Sequence, residues 1–297
     1  MVLGMPKRSF LVVAVLVVLA GCGTATATDG GGAVRQPATP TGKQDNRHRF
    51  QAIKADCMKR KGFRYVPYVS AMKGTDEQEK DYSGDYAAMK ARRSKYGFEI
   101  FSWFVYPREM GNPAARPADA PVNPNFAIKN DLSPAQQDAY DEMSEACDAQ
   151  AYKQITGKVV KSMDDWSAQT NALIDQRTGR ELDGDPKLVE LASAMADCLT
   201  GKGYRLTSTK PTAMNVWGWR LFTAERDEIA SKDDTPETDL PKGHYYLPRL
   251  TPARARPLLD REIKVALEDL ECGREFYPAF RPRNAEIVRQ VEAEYGA

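Results

Sequence analysis

The sequence predicts a mainly α-helical fold, with at most a small β content, made of two tandem duplicated units that pack into one compact body. Residues 55–63 (ADCMKRKGF) and 196–204 (ADCLTGKGY) share five of nine positions and the same spacing from cysteine to glycine. After each copy follow an aromatic-glycine-aromatic segment, a helix start of a hydroxyl residue and proline, and a late cysteine. Landmarks repeated in one order indicate an internal duplication.

The chain opens with a predicted secretion signal. Lys7 and Arg8 precede an apolar run over residues 10–20, which is too short to cross the roughly 30 Å hydrocarbon core of a bilayer as a helix. The run ends in Leu19-Ala20-Gly21-Cys22, which resembles the bacterial lipobox, whose cysteine receives a lipid and becomes the new N-terminus. We expect a signal peptide over residues 1–21 and lipid attachment at Cys22. The alternative is an ordinary secreted protein whose leader ends in cysteine.

Residues 22–45 are predicted to form a flexible tether. They are small, polar and rich in glycine and proline, and such a segment buries too little apolar surface to become ordered. The lipid on Cys22 would hold the chain on the extracytoplasmic face of the bacterial cell membrane, because no other apolar stretch approaches membrane-spanning length.

The first unit is expected over residues 46–157. Its first helix places Phe50, Ile53 and Cys57 on one stripe and ends at Gly62. A short basic helix over residues 86–93 and a proline-rich surface loop over residues 107–124 are expected next. Ser133-Pro134 then begins a helix with a buried stripe of Tyr140, Met143, Cys147 and Ala151.

A helical connector over residues 158–185 is predicted between the units. Its apolar stripe consists of Val159, Met163, Trp166 and Leu173. A last helix is predicted near the C-terminus, where Ile287, Val288, Val291 and Tyr295 are apolar. Both helices are expected to pack across the boundary between the units.

The second unit is expected over residues 186–297. Pro186 begins a helix that ends at Gly203 and whose buried face carries Leu188, Leu191, Met195 and Cys198. Residues 217–223 repeat the aromatic pattern of residues 96–102, and Thr251-Pro252 begins the helix that leads to Cys272.

Four cysteines remain once Cys22 is assigned to the lipid, and an even number outside the cell favours disulfide bonds over free thiols. Four cysteines allow three pairings, among which spacing alone does not choose. The duplication selects one bond in each unit, Cys57 to Cys147 and Cys198 to Cys272. No metal site is expected, because the sequence has no CxxC pair and its two histidines, His48 and His244, lie far from the cysteines.

Residues 57–65, 96–98, 123–125 and 132–140, with Cys147, resemble a group of secreted and lipid-anchored proteins common in actinobacteria. That group has a Cys-Met-x-x-x-Gly-Phe-x-Tyr start, an aromatic-Gly-aromatic middle and a Leu-Ser-Pro-x-x-Gln helix before a late cysteine. The second half of the chain follows the pattern more loosely. The resemblance supports the same disulfide pairing and a Gram-positive envelope, and it implies no activity.

Charge and motifs exclude several classes of function. Lys+Arg at 42 against Asp+Glu at 41 leaves no bulk field that attracts nucleic acid. The sequence has no nucleophile elbow, Walker loop, zinc-protease motif or dinucleotide fingerprint. Asp183-Gly184-Asp185 lacks the further ligands of a calcium loop, and Asp164-Asp165 is the kind of acidic pair that favours a helix N-terminus. We expect no enzyme and no cofactor.

The aromatic residues Tyr96, Phe98, Trp103, Trp217 and Trp219 are the best candidates for ligand binding, because aromatic faces bind sugar rings and apolar ligands. The alternative is packing in the core around a glycine, which the exchange of aromatic types between the copies favours. Arg92, Arg93 and Lys95 nearby are expected to form a solvated helix face, and the alternative is a site for an anionic glycan.

These observations together predict a lipid-anchored envelope protein. It would act as a non-catalytic binding or interaction module on the outer face of the membrane, with a cell-wall glycan or another envelope protein as its partner. The alternative is a cell-wall hydrolase, or an accessory factor of an enzyme that processes the wall.

Overall fold

The computed structural model describes residues 41–69, 76–112, 115, 122–232 and 247–296. These residues contain eleven helices and no strand, and they belong to one compact unit that spans Pro40–Ala297. The helices are α1 (Thr41–Arg60), α2 (Asp76–Tyr82), α3 (Tyr86–Tyr96), α4 (Ser102–Val105), α5 (Pro124–Asn130), α6 (Pro134–Thr156), α7 (Met163–Glu181), α8 (Pro186–Gly201), α9 (Pro211–Ala230), α10 (Pro252–Cys272) and α11 (Phe276–Glu294). The predicted helical fold in one body is confirmed.

The predicted signal peptide, Cys22 and most of the tether lie outside the described residues. The last five tether residues, 41–45, belong to α1, so the first helix begins earlier than its apolar stripe suggests. None of the helices in the described part of the chain is long and apolar enough to cross a membrane.

The two repeated stretches have the same local structure. α1 and α8 each end before a glycine in the left-handed region, with φ 84° at Gly62 and 91° at Gly203. The N–H of the following aromatic residue donates to the carbonyl five residues earlier, at 3.0 Å for Phe63 and 3.1 Å for Tyr204. This bond and the left-handed glycine define a Schellman motif. The repeated sequence therefore specifies a repeated helix end.

Both predicted disulfide bonds are present. Cys57–Cys147 joins α1 to α6, and Cys198–Cys272 joins α8 to α10. The first bond lies in a core, with Cys57 and Cys147 at 3% and 0% exposure. The second bond is at the surface, because Cys198 is exposed and Cys272 is only half-buried.

The prediction that Cys198 lies on the buried face of α8 was wrong. At about 100° per residue, a side chain eleven positions after Leu188 returns to nearly the same direction, whereas one ten positions after it is turned away by about 80°. Leu199 therefore fills the core beside Leu188, and Cys198 lies at the edge of the stripe.

The two halves of the chain interpenetrate. α3 and α4, which belong to the first half in sequence, pack on α10 of the second half, and α2 contacts α11. Met89 of α3 is buried in the same core as Leu188 and Leu270, and Phe101 is buried with Phe222. The first unit therefore does not close on itself, and its middle segment helps to form the core of the second.

The connector and last helices were both predicted, and they pack together as α7 and α11. Trp166 and Leu173 contact the core formed by Tyr152, Val160, Val291 and Tyr295, as the predicted stripe requires. Val159 and Met163, however, are exposed. Both lie before or at the first residue of α7, where the helical stripe has not yet begun.

The different exposure of the two disulfide bonds predicts the order in which they are reduced. A reductant reaches a sulfur at the surface more readily than one in a core, so Cys198–Cys272 should open first under mild reduction of the folded protein. Alkylation followed by peptide mass spectrometry would detect the thiols. Labelling of Cys57 and Cys147 before the second pair would contradict this expectation.

Candidate ligand-binding cleft

The two aromatic-glycine-aromatic segments do not have the same structure. Tyr96 ends α3 and Gly97 follows with φ 62°, so the first segment is a turn. The second segment lies inside α9, where Gly218 is helical and buried. The expected repetition of this landmark is therefore absent from the fold, although the two segments are neighbours in space.

The ring of Phe98 packs directly against the backbone of Gly218. A Cβ atom added to Gly218 would lie 2.1 Å from Cζ of Phe98, a distance that real side chains do not tolerate. Glycine in the interior of a helix usually costs about 0.5–1 kcal/mol relative to alanine. Here it permits the turn after α3 to approach α9 closely.

The carboxylate of Glu262 fixes the turn after α3. Its Oε1 accepts hydrogen bonds from the N–H groups of Phe98 at 2.6 Å and Ile100 at 3.0 Å, and its Oε2 accepts one from Phe101 at 2.9 Å. Glu262 lies on α10 and is fully buried. A Cβ atom at Gly97 would lie 2.7 Å from Cγ of Glu262. The turn therefore depends on a glycine beside a buried acid.

Burial raises the pKa of Glu262 to about 7, since it opposes the charged form more strongly than the three backbone donors favour it. The nearby charge of Glu99 raises the pKa further. Glu262 has no exposed surface, and its two oxygens already accept three hydrogen bonds. We therefore assign it a structural role rather than a catalytic one.

A buried polar cluster stands behind the turn. Asp269 of α10 accepts hydrogen bonds from Nε1 of Trp217 at 2.5 Å, from the hydroxyl of Tyr277 at 2.5 Å and from Nη1 of Arg93. Arg93 also donates to the carbonyl oxygen of Ala266 at 3.0 Å. Because every member has a partner, the cluster holds α3, α9, α10 and α11 together without an unpaired buried charge.

A cleft of about 220 Å³ opens beside this cluster. Three arginines line it together with two acids, two aromatic residues and an amide: Arg92, Arg93, Arg281, Asp81, Glu99, Phe98, Trp219 and Asn215. Trp219 is 47% exposed. An exposed aromatic ring beside buried and half-buried cations is a combination found in binding sites.

Glu99, which lines the cleft, has an unusual backbone conformation. Its φ of 71° makes it the one residue other than glycine with positive φ in the described ranges. Its side chain pairs with Nε of Arg92. A glutamate in this region stores strain, and such residues cluster at functional sites.

The structure brings two of the five predicted aromatic residues to the cleft. Phe98 and Trp219 line it, whereas Trp217 lies behind it with its indole N–H bonded to Asp269. Tyr96 lies outside this cleft, where it lines a groove along α2 and α3, and its hydroxyl donates to Glu109 at 2.6 Å. Trp103 is half-buried on α4 and does not line the cleft. The five predicted aromatic residues therefore do not form one site, and two of them line the cleft.

The expected solvated face of α3 was wrong for Arg93, which is 6% exposed. Its charge is matched by an aspartate on α10, 176 residues later in the chain. Residue patterns within one helix do not reveal a partner so distant. Arg281 of the cleft was not identified from the sequence for the same reason.

A larger groove of about 550 Å³ lies along α2 and α3. Mostly exposed side chains line it, among them Lys80, Ala87, Ala91 and Lys95. It contains no buried polar cluster comparable to that of the smaller cleft. In the described part of the chain, no group of three or more His, Cys, Asp or Glu residues could hold a metal ion.

Comparisons with protein-family models, curated proteins and solved structures found no match to the chain.

The raised pKa of Glu262 predicts how stability depends on pH. An acid whose pKa is higher in the folded state contributes stability below its unfolded value near 4.5, and this contribution is lost as pH rises through about 7. The free energy of unfolding should therefore decrease between pH 5 and 8, and Glu262→Gln should remove this decrease. Denaturant titrations at several pH values would measure it. Glu190→Gln, at an exposed position on α8, is the control, and an unchanged pH slope in Glu262→Gln would refute the assignment.

Proposed function

We propose that this chain is a binding module of the bacterial cell envelope, held on the outer face of the membrane by a lipid on Cys22. It takes up a ligand in the cleft between the turn after α3 and helix α9. The observation that carries the proposal is the exposed ring of Trp219 in a cleft that three arginines line, one of them buried and two half-buried. The partner is a cell-wall glycan or another envelope protein.

The size of the cleft limits what it can hold. Pockets that enclose a drug-sized ligand measure about 300–1,000 Å³, and this cleft measures about 220 Å³. It is large enough for a single ring or an end group and too small for several linked sugars. This favours recognition of the terminus or one substituent of a larger molecule.

The envelope location is supported by the two disulfide bonds. Disulfides form and persist in oxidising compartments outside the cytoplasm, and both pairs of cysteines after Cys22 are bonded. The lipobox-like sequence at residues 19–22 supports the attachment to the membrane.

A binding role without catalysis is supported by the arginines that lie next to the two acidic side chains of the cleft. Oδ2 of Asp81 lies 3.6 Å from Nη1 of Arg281, and Glu99 bonds directly to Arg92. A glycosidase needs two carboxylates that face each other across the scissile bond. Here each carboxylate that lines the cleft faces an arginine instead.

Substitution of Trp219 tests the proposal. We expect Trp219→Ala to lower binding to purified actinobacterial cell walls about fivefold or more, because a flat ring that stacks on an aromatic side chain, as nucleobases do, contributes about 1–3 kcal/mol. Leu221→Ala is the matched control, since Leu221 lies on the same helix, is 46% exposed and does not line the cleft. Cosedimentation would measure binding, and circular dichroism would confirm folding. Equal binding of the two variants would contradict the proposal.

Substitution of Cys22 tests the anchor separately. We expect Cys22→Ser to move the protein from the detergent phase to the aqueous phase in a detergent-partition experiment, because a covalent lipid supplies about 0.8 kcal/mol of membrane affinity for each buried CH₂ group. Retention of this variant in the detergent phase would refute the lipid anchor.

A further inference from the structure

Arg281 is an arginine whose carboxylate partner is held at a distance. Its Nη1 donates to the main-chain oxygen of Asp81 at 2.8 Å, whereas Oδ2 of Asp81 is 3.6 Å away. The longer distance lies outside the range of a charge-assisted hydrogen bond. The guanidinium lies 5.1 Å from the ring centroid of Tyr277. Its positive charge is therefore only loosely compensated.

The surroundings of Arg281 oppose its charge. Burial lowers its pKa and the neighbouring guanidinium of Arg93 lowers it further, and Tyr277, Asp81 and Asp269 offset this only in part. The other two arginines of the cleft differ, because Arg92 bonds directly to Glu99 and Arg93 bonds directly to Asp269. An anion bound in the cleft would compensate the positive charge of Arg281. It would not need to break the Arg92–Glu99 or the Arg93–Asp269 ion pair.

The guanidinium of Arg281 also has N–H groups that are not used in its hydrogen bond to Asp81. Its one hydrogen bond to the described residues uses Nη1, and a guanidinium carries five N–H donors on three nitrogens. Carboxylates and phosphates accept two parallel hydrogen bonds from such a fork. The chemistry of Arg281 therefore fits a compact oxyanion.

Asn215 supplies a second polar group to the cleft. Its Oδ1 is buried and has no hydrogen-bond partner within the described part of the chain. Buried polar atoms usually have a partner, and a hydroxyl group of a ligand would provide one here. Trp219 on the same helix offers an aromatic face to a ring.

We infer that the ligand is a hydroxylated ring that bears a carboxylate or a phosphate, as in an acidic sugar or a sugar phosphate. Arg281 holds the oxyanion, Asn215 accepts a hydrogen bond from a hydroxyl group, and Trp219 packs against the ring. This inference rests on the proposed function, and it adds the chemical class of the ligand.

Three small probes test the inference on the full-length protein in detergent. Isothermal titration with glucuronate, glucose 1-phosphate and glucose compares a carboxylate, a phosphate and a neutral ring of similar size. We expect at least one anionic probe to bind about tenfold more tightly than glucose, since hydrogen bonds to charged groups are about twice as strong as neutral ones. The preferred probe identifies the oxyanion. Equal affinity for the three probes, or no binding of any, would overturn the inference.

Two substitutions separate ligand binding from structural effects. Arg281→Gln should lower the affinity for the anionic probe about tenfold. Asp81→Asn should raise it severalfold, because it removes the carboxylate that competes for Arg281; a merely structural role of Asp81 would not improve binding. Asp76→Asn, on the same helix and outside the cleft, is the control. Unchanged or weaker binding by Asp81→Asn, or full affinity in a folded Arg281→Gln variant, would overturn the inference.

The outcomes also distinguish this inference from the proposed function. If cell-wall binding depends on Trp219 and neither anionic probe binds or competes with it, the oxyanion class is wrong and the binding module stands. If Trp219→Ala leaves wall binding unchanged, the proposed function fails, and the inference fails with it.

Discussion

The contact between the ring of Phe98 and the backbone of Gly218 is the constraint on which the cleft depends. It brings a turn from the first half of the chain against a helix from the second half. Glu262 holds that turn through three backbone hydrogen bonds, so the position of Phe98 is fixed from both sides. Any residue larger than glycine at position 218 would separate the two surfaces that form the cleft.

The polar groups behind the cleft divide into two kinds. Asp269 and Glu262 are buried acids whose oxygens are fully engaged, and they hold helices and a turn in place. Arg281 and Asn215 line the cleft with donors or acceptors that the described residues leave in part unused. Rigid support with unsatisfied groups among the lining residues is the arrangement that a preformed binding site requires.

Much of the fold could be predicted from local signals. The helix starts at Ser133-Pro134 and Thr251-Pro252 and the helix ends at Gly62 and Gly203 depend on neighbouring residues, and the duplication selected both disulfide bonds. The packing of α3 on α10 could not be predicted, because it depends on contacts between residues far apart in the chain. Arg93 and Asp269 are also far apart in the chain, so their ion pair could not be predicted. Most of the cleft could not be predicted for the same reason. Two residues of the cleft, Phe98 and Trp219, were predicted because their aromatic character is visible in the sequence itself.

A comparison of Gly218→Ala with Gly179→Ala tests the central claim most directly. Gly179 lies in α7, where an added Cβ atom meets nothing within 4 Å, so alanine there should stabilise the protein by up to about 1 kcal/mol. Alanine at position 218 should instead lower the free energy of unfolding by more than about 2 kcal/mol, because Phe98 must leave its place. Denaturant unfolding of the two variants would measure both values. A Gly218→Ala variant as stable as Gly179→Ala would contradict the close contact between Phe98 and Gly218, and with it the cleft that depends on that contact.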